Sequence, residues 1–152
     1  MLRTNIKSNL KEAMKSKDKR KTSTLRLIIA TLQDRDLAAR DKGAEEGITE
    51  DEILQMLTTM VRQRKESIAA YEKGGRIDLA TSEQEEIHII SDFLPKQFDE
   101  EEIRKAVGEI IAEIDAQGLK DMGKTMATLK GKYAGCMDFS IASSIVKETL
   151  GA

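Results

Sequence analysis

The chain is poor in the residues that support disulfide, metal and stacking chemistry. Its 152 residues include one cysteine, one histidine, one proline and no tryptophan, and aromatic residues make up only 3%. A single cysteine excludes an intrachain disulfide and any CxxC motif, and one histidine with one cysteine is too few for a zinc site. The scarcity of aromatic rings leaves little for base stacking, on which binding of single-stranded nucleic acid depends.

Long apolar runs are missing as well. No stretch approaches the roughly 18 apolar residues that a membrane span needs, and the first residues alternate polar and apolar side chains, unlike a signal peptide. No GxxxxGK[ST] or GxGxxG nucleotide loop occurs. We therefore expect a soluble, unprocessed protein in a reducing cytoplasmic setting, without a cofactor and without contact with a membrane.

Helical periodicity dominates what is present. Apolar residues recur at spacings of three and four, and strand-like alternation is absent over any useful length, which predicts an all-α fold. Two capping boxes, Thr49 with Glu52 and Asp99 with Glu102, mark the starts of the third and fifth helices. The predicted helices cover about 2–16, a stretch through 25–32, 49–74, 78–93, 99–118 with Gly118 as its end, 121–133 and 139–150.

The only proline, Pro95, lies between two complete sets of apolar stripes. Because a proline disfavours the helical conformation of the residue before it, Pro95 marks the predicted domain boundary. We expect an N-terminal four-helix block in residues 1 to 94 and a C-terminal three-helix bundle in residues 95 to 152.

The net charge of −2 conceals a strong division along the chain. Residues 1 to 40 hold eleven Lys and Arg against four acids, whereas residues 74 to 118 hold four against twelve. Partners of opposite sign would therefore meet different parts of the molecule. The acidic middle segment leaves open a protein-interaction module that docks on a basic partner.

The sixth predicted helix has an apolar side and a basic side. At ~100° per residue, Met122, Met126 and Leu129 fall inside one arc. Lys120 and Lys124 fall opposite, so we expect both lysines to face water. Such a face, with the exposed amides of a helix N-terminus, fits phosphate groups. Two lysines on a helix exterior also fit ordinary solvation.

A second basic cluster lies where the first two helices meet. It comprises Lys15, Lys17, Lys19, Arg20 and Lys21. Lys17, Arg20 and Lys21 are candidate secondary RNA contacts, and a solvated charged turn explains the cluster equally well. Because aromatic residues are so few, binding to a folded RNA through its phosphates is more plausible than recognition of a single strand.

Three motifs carry a family resemblance. They are Tyr71-Glu72-Lys73-Gly74-Gly75-Arg76-Ile77-Asp78-Leu79-Ala80, Asp92-Phe93-Leu94-Pro95-Lys96-Gln97 and Lys120-Asp121-Met122-Gly123-Lys124-Thr125-Met126-Ala127-Thr128-Leu129. In order and spacing, over nearly its whole length, the chain resembles the YqeY family. The fold of that family is similar to the C-terminal tail of the B subunit of the aspartyl/glutamyl-tRNA amidotransferase.

In that B subunit the tail contacts the elbow of tRNA. The resemblance implies that Lys120, Gly123 and Lys124 bind tRNA here, with Gly123 letting a partner backbone come close. It implies tRNA or a tRNA-handling enzyme as partner, and no DNA. It also links the chain to carbon-nitrogen ligase activity with glutamine as amide donor, although the catalytic domains for that reaction are lacking. An accessory module without its own catalytic site is therefore expected.

An enzyme of unrecognised mechanism is the other alternative. Charged residues and one tyrosine surround the turn between the third and fourth helices: Tyr71, Arg76, Asp78, Glu83 and Glu86. We interpret them as a structural clasp in which Arg76 pairs with Asp78 or Glu83 and the glycine pair reverses the chain. Catalysis would instead require a pocket lined by these acids with perturbed pKa values.

The nucleophiles of the chain lack a catalytic setting. Ser143, Ser144 and Lys147 match the residue types of signature-family amidases, but they lie within five residues of one predicted helix, without a glycine-rich loop or oxyanion hole. Cys136, even with His88 as a base, has no visible activating environment. We predict no catalytic residue.

Overall fold

The computed structural model describes the whole chain, residues 1 to 152, and confirms the all-α prediction. The helices are α1 (Leu2–Lys15), α2 (Lys19–Asp41), α3 (Glu50–Lys73), α4 (Ile77–Ser91), α5 (Glu100–Ile114), α6 (Met122–Lys132) and α7 (Phe139–Gly151), with a 3₁₀ turn at Leu119–Asp121 before α6. None of them is both long enough and apolar enough to cross a membrane.

The chain divides into two compact units, Met1–Pro95 and Lys96–Ala152, which we call the N-terminal and C-terminal units. The division lies one residue beyond the predicted one. Helices α1 to α4 belong to the first unit and α5 to α7 to the second. Each unit has a hydrophobic core built from its own residues alone. That each unit folds independently stays a prediction.

The N-terminal unit packs α3 along α4 and α1 along α2, with α2 also against α4. Its fully buried side chains include Ile6, Leu25, Ile28, Ile53, Met56, Leu57 and Ile90. The 24-residue α3 begins at the capping box of Thr49 and Glu52 and spans roughly 36 Å at ~1.5 Å per residue. It is the long central element of this unit.

A buried carboxylate joins α1, α2 and the loop before α3. Asp36 is only 7% exposed; its Oδ1 accepts hydrogen bonds from Arg3 Nη2 at 2.7 Å and from the Ile48 amide at 2.9 Å. Arg3 Nη2 also donates to the Ile48 carbonyl at 2.7 Å. The hydrogen bond from Arg3 holds the pKa of Asp36 below its usual value, so the carboxylate stays ionised at neutral pH.

The C-terminal unit packs α5, α6 and α7 against one another in pairs. Its core holds Ile103, Val107, Ile110, Leu129, Met137, Ala142, Ile145 and Val146. Helix α5 begins at the capping box of Asp99 and Glu102. It ends at Ile114, four residues before the predicted end at Gly118.

The early end of α5 has a local cause. Asp115 takes the left-handed conformation with φ 54, which aspartate tolerates better than most residues. The amide of Ala116 then donates to the carbonyl of Ile111 at 3.0 Å and closes the last turn. The sequence prediction chose the nearest glycine and overlooked an aspartate in this role.

Candidate nucleic-acid interface

The start of α6 is tied to the turn before it. The amide of Asp121 donates to the Gly118 carbonyl, and that of Met122 to the Leu119 carbonyl. The carboxylate of Asp121 accepts the Gln117 amide at 2.8 Å. The prediction of free amides for a phosphate was therefore wrong for Asp121 and Met122, because the 3₁₀ turn already uses them.

The most buried residues of α6 agree only in part with the predicted apolar side of Met122, Met126 and Leu129. Thr125 and Leu129 are fully buried, whereas Met122 and Met126 are partly buried against the core. Thr125 is tolerated there because its hydroxyl donates to the Asp121 carbonyl at 2.8 Å. Leu129, rather than Met126, is the main apolar contribution of this helix to the core.

The opposite side carries the residues predicted to bind tRNA. Lys120, Gly123 and Lys124 are all exposed, and the structure extends their surface by Ala127, Lys130 and Gly131. We call these six residues the basic α6 face. The sequence did not lead us to predict Ala127, Lys130 and Gly131. Small residues nevertheless recur every four positions from Gly123 through Ala127 to Gly131, and this spacing places them on one side of the helix.

The basic α6 face combines open backbone with unpaired charge. A Cβ atom added at Gly123 or Gly131 would meet no atom within 4 Å, so a partner can approach the helix backbone closely there. None of the face's lysines forms an ion pair, whereas nearby Lys132 lies 3.8 Å from Glu113 and 5.7 Å from the centre of the Tyr133 ring. Such an arrangement suits sequence-independent contacts to a phosphate backbone.

The three predicted secondary RNA contacts are Lys17, Arg20 and Lys21 of the N-terminal unit, and they are not equally free to bind a phosphate. Arg20 lies 3.2 Å from Glu85 and 3.9 Å from Glu86, and it donates to Ser82. Its charge is already used to connect α2 with α4. Lys21 lines the groove beside Arg20, whereas Lys17 lines a separate one.

The residues of the predicted clasp take part in two separate ion pairs. Arg76 and Asp78 form an exposed pair at 3.2 Å, and the hydrogen bond from Arg76 lowers the pKa of Asp78. Glu86 instead pairs with Arg64 of α3 at 2.9 Å. Tyr71 and Glu83 are half-buried and belong to neither pair. The predicted pairing of Arg76 with Asp78 is confirmed, whereas Glu86 pairs with a residue outside the predicted clasp.

The chain reversal itself depends on one glycine. Gly75 has φ 73, while Gly74 has an ordinary φ of −84. A groove of about 580 Å³ lies between the start of α2 and α4, and its acidic lining residues are Asp18, Glu85 and Asp92, none of which belongs to the clasp.

The side chains that were considered above as nucleophiles show no sign of activation in the structure. Burial raises the pKa of the Cys136 thiol, which lowers its thiolate fraction at neutral pH. Ser144 donates to the carbonyl of Ser140 at 3.2 Å, one turn earlier on α7. Ser143 is half-buried and Lys147 exposed on the same helix, while His88 is exposed on α4 of the other unit.

Comparison with known proteins assigns the chain to one family and identifies several fungal relatives. The family described as Yqey-like protein matches residues 3–150. A protein of Eremothecium gossypii named Altered inheritance of mitochondria protein 41, mitochondrial, is 35% identical over 89 residues, which cover 59% of this chain and 46% of that protein. The chain thus spans about half the length of that relative.

Two longer matches carry the same name. The protein of Lachancea thermotolerans is 30% identical over 96% of this chain and 77% of its own length. That of Saccharomyces cerevisiae is 27% identical over 94% and 80%. These relatives are named as mitochondrial proteins, which contradicts the predicted cytoplasmic setting. That prediction was wrong because a single cysteine excludes an intrachain disulfide without identifying a compartment.

Proposed function

The chain belongs to the YqeY family, and from that premise we propose that it binds tRNA through the basic α6 face. It acts as an accessory module and leaves catalysis, including any glutamine-dependent amide transfer, to a tRNA-handling enzyme. The observation that carries the proposal is the exposed strip of Gly123, Ala127 and Gly131, accompanied by the unpaired lysines Lys120, Lys124 and Lys130.

The chemistry of the basic α6 face favours a folded RNA over a single strand. Lysine ammonium groups are point charges that contact phosphates without reading bases. The one aromatic residue at the end of α6, Tyr133, is half-buried and packs against Phe98 with ring centres 5.3 Å apart. It therefore offers no free ring for stacking. Recognition by backbone shape is the mode that remains.

The experiment compares the wild-type chain with Lys120→Ala/Lys124→Ala in binding to tRNA across a series of salt concentrations. If both lysines contact phosphates, affinity falls and the slope of log affinity against log salt decreases by roughly one unit per lysine. The matched control is Lys105→Ala/Lys147→Ala. It removes two exposed lysines of the same unit outside this face. Both variants should keep wild-type stability within about 0.5 kcal/mol per site.

Equal tRNA affinity and salt slope in the wild type and the Lys120/Lys124 variant would refute this role of the α6 face. Docking of the acidic segment on a basic protein would then be the favoured alternative. Capture of a protein partner that persists after RNase treatment would support it. Several carboxylates of that segment already pair inside the molecule: Asp78 with Arg76, Glu86 with Arg64 and Glu100 with Arg104. These pairs reduce the charge available for docking.

A further inference from the structure

A groove in the N-terminal unit, between the end of α1 and the start of α2, has a purely cationic set of charges. Its volume is about 560 Å³, and it is lined by Met14, Lys17, Lys19, Thr22, Ser23 and Arg26. The four residues from α2 recur at spacings of three and four and so share one face of that helix. We call this cavity the α1–α2 groove.

The positive charge of the α1–α2 groove is not neutralised within the molecule. Lys17, Lys19 and Arg26 are exposed and form no ion pair, and no acid lines the cavity. The nearest acid along the chain, Asp18, caps α2 by accepting the Lys21 amide at 3.1 Å. Asp18 lines the neighbouring groove instead, where Arg20 is paired with Glu85.

The turn that supplies Lys17 adopts an unfavourable backbone conformation for a lysine. Lys17 has φ 58, in the left-handed region where glycine is favoured. The turn is closed by the amide of Lys17 donating to Met14 at 3.2 Å and that of Asp18 donating to Ala13 at 3.0 Å. Glycine would fit this backbone, so lysine here adds a cation to the groove at some cost in stability.

We propose that the α1–α2 groove binds a phosphate group. The two ammonium groups supply point charges, Arg26 supplies a forked set of donors for two phosphate oxygens, and the hydroxyls of Thr22 and Ser23 supply further donors. The phosphate belongs either to an RNA backbone or to a small phosphorylated molecule. This site is in the other unit from the basic α6 face and does not depend on the function proposed for that face.

The test follows backbone amide signals of the full ¹⁵N-labelled chain while inorganic pyrophosphate is added at fixed ionic strength. We expect saturable shifts concentrated in residues 17 to 26. Affinity should be about tenfold weaker in Lys19→Ala/Arg26→Ala, since two charge-assisted contacts are lost. The matched control, Arg35→Ala/Lys65→Ala, removes two exposed and unpaired cations of the same unit and should bind pyrophosphate like the wild type.

A further variant separates binding from stability. Lys17→Gly removes one cation and relieves the left-handed strain, so pyrophosphate binding should weaken while the melting temperature stays equal or rises. Undiminished pyrophosphate affinity in Lys17→Gly and in Lys19→Ala/Arg26→Ala would overturn the site. So would shifts spread over lysines of both units without saturation, or an equal loss of affinity in the control variant.

A tRNA arm identifies the source of the phosphate. Weaker tRNA binding by Lys19→Ala/Arg26→Ala, with wild-type binding by the control, would assign the groove to the RNA backbone. Unchanged tRNA binding together with lost pyrophosphate binding would assign it to a small phosphorylated ligand. If the wild-type chain does not bind tRNA at all, the proposed function fails, and the pyrophosphate titration still decides whether the groove is a phosphate site.

Discussion

At the scale of single residues, the N-terminal unit depends on one close approach of backbone to carboxylate. Gly47 has φ 86, and a Cβ atom added to it would overlap Asp36 Oδ1 and lie 2.6 Å from Asp36 Cγ. The same carboxylate accepts the hydrogen bonds of Arg3 and Ile48. Any side chain at position 47 would therefore displace the acceptor that joins α1, α2 and the following loop.

Gly47→Ala should destabilise the N-terminal unit more than Gly43→Ala. Gly43 also has a positive φ, of 99, but a Cβ atom there meets nothing within 4 Å. The control should cost about 1 kcal/mol for backbone strain alone. Gly47→Ala should cost about 2 to 4 kcal/mol, because a steric overlap adds to that strain. Native-state hydrogen exchange of residues 1 to 95 measures both, and equal losses would show that Asp36 moves aside freely.

Polar residues such as Asp36 mark where the sequence prediction reached its limit. Between Arg35 and Leu37 an aspartate is expected to be solvated, and local periodicity offers no reason to bury it. Its burial depends on Arg3, 33 residues earlier in the chain. Such partners exist only after the helices have packed, so a pattern read along one helix does not contain them.

At the scale of elements, an ion pair connects three helices of the N-terminal unit. Arg64 of α3 is only 9% exposed; its Nε lies 2.9 Å from Glu86 of α4, and its Nη1 donates to the Met60 carbonyl at 3.1 Å. Glu86 also faces Arg20 of α2 at 3.9 Å. The carboxylate that was predicted to hold the α3–α4 turn instead joins α2, α3 and α4.

A double-mutant cycle on Arg64→Ala and Glu86→Ala should measure a coupling energy of about 1 to 3 kcal/mol, because the pair is largely shielded from water. The matched control is Arg104 with Glu100, an exposed pair at 3.1 Å on α5. Its coupling should be about 0.5 kcal/mol or less, as is usual for exposed pairs one helical turn apart. Equal coupling in the two cycles would show that burial adds nothing to the Arg64 pair.

Helices were the most predictable level of this structure. Apolar spacing and capping boxes are local, so the start of α3 after Thr49 and of α5 after Asp99 could be read directly. The end of α5 could not, because Asp115 and Gly118 are both able to stop a helix. On the candidate interface, helical phase correctly predicted that Lys120 and Lys124 are exposed. It could not show which other lysines remain unpaired.

At the scale of the whole molecule, two separate hydrophobic cores support the prediction of two folding units. The core of the first unit takes its buried residues from Ile6 to Phe93, and that of the second from Ile103 to Val146. A unit of the size of Lys96–Ala152 is within the range of about 55 to 65 residues in which single domains fold alone with marginal stability. The charge division gives the first unit a basic segment, residues 1 to 40, whereas the acidic segment, residues 74 to 118, includes parts of both units.

Matched leucine truncations in the full-length chain test whether the units unfold separately. Leu129→Ala should lower hydrogen-exchange protection in residues 96 to 152 by about 2 to 5 kcal/mol, because a fully buried leucine leaves a cavity in that core. Residues 1 to 95 should keep wild-type protection. Leu57→Ala, at an equally buried leucine of α3, should give the reciprocal result. If either truncation lowers protection in both units, the two cores unfold as one cooperative structure and the prediction of independent units fails.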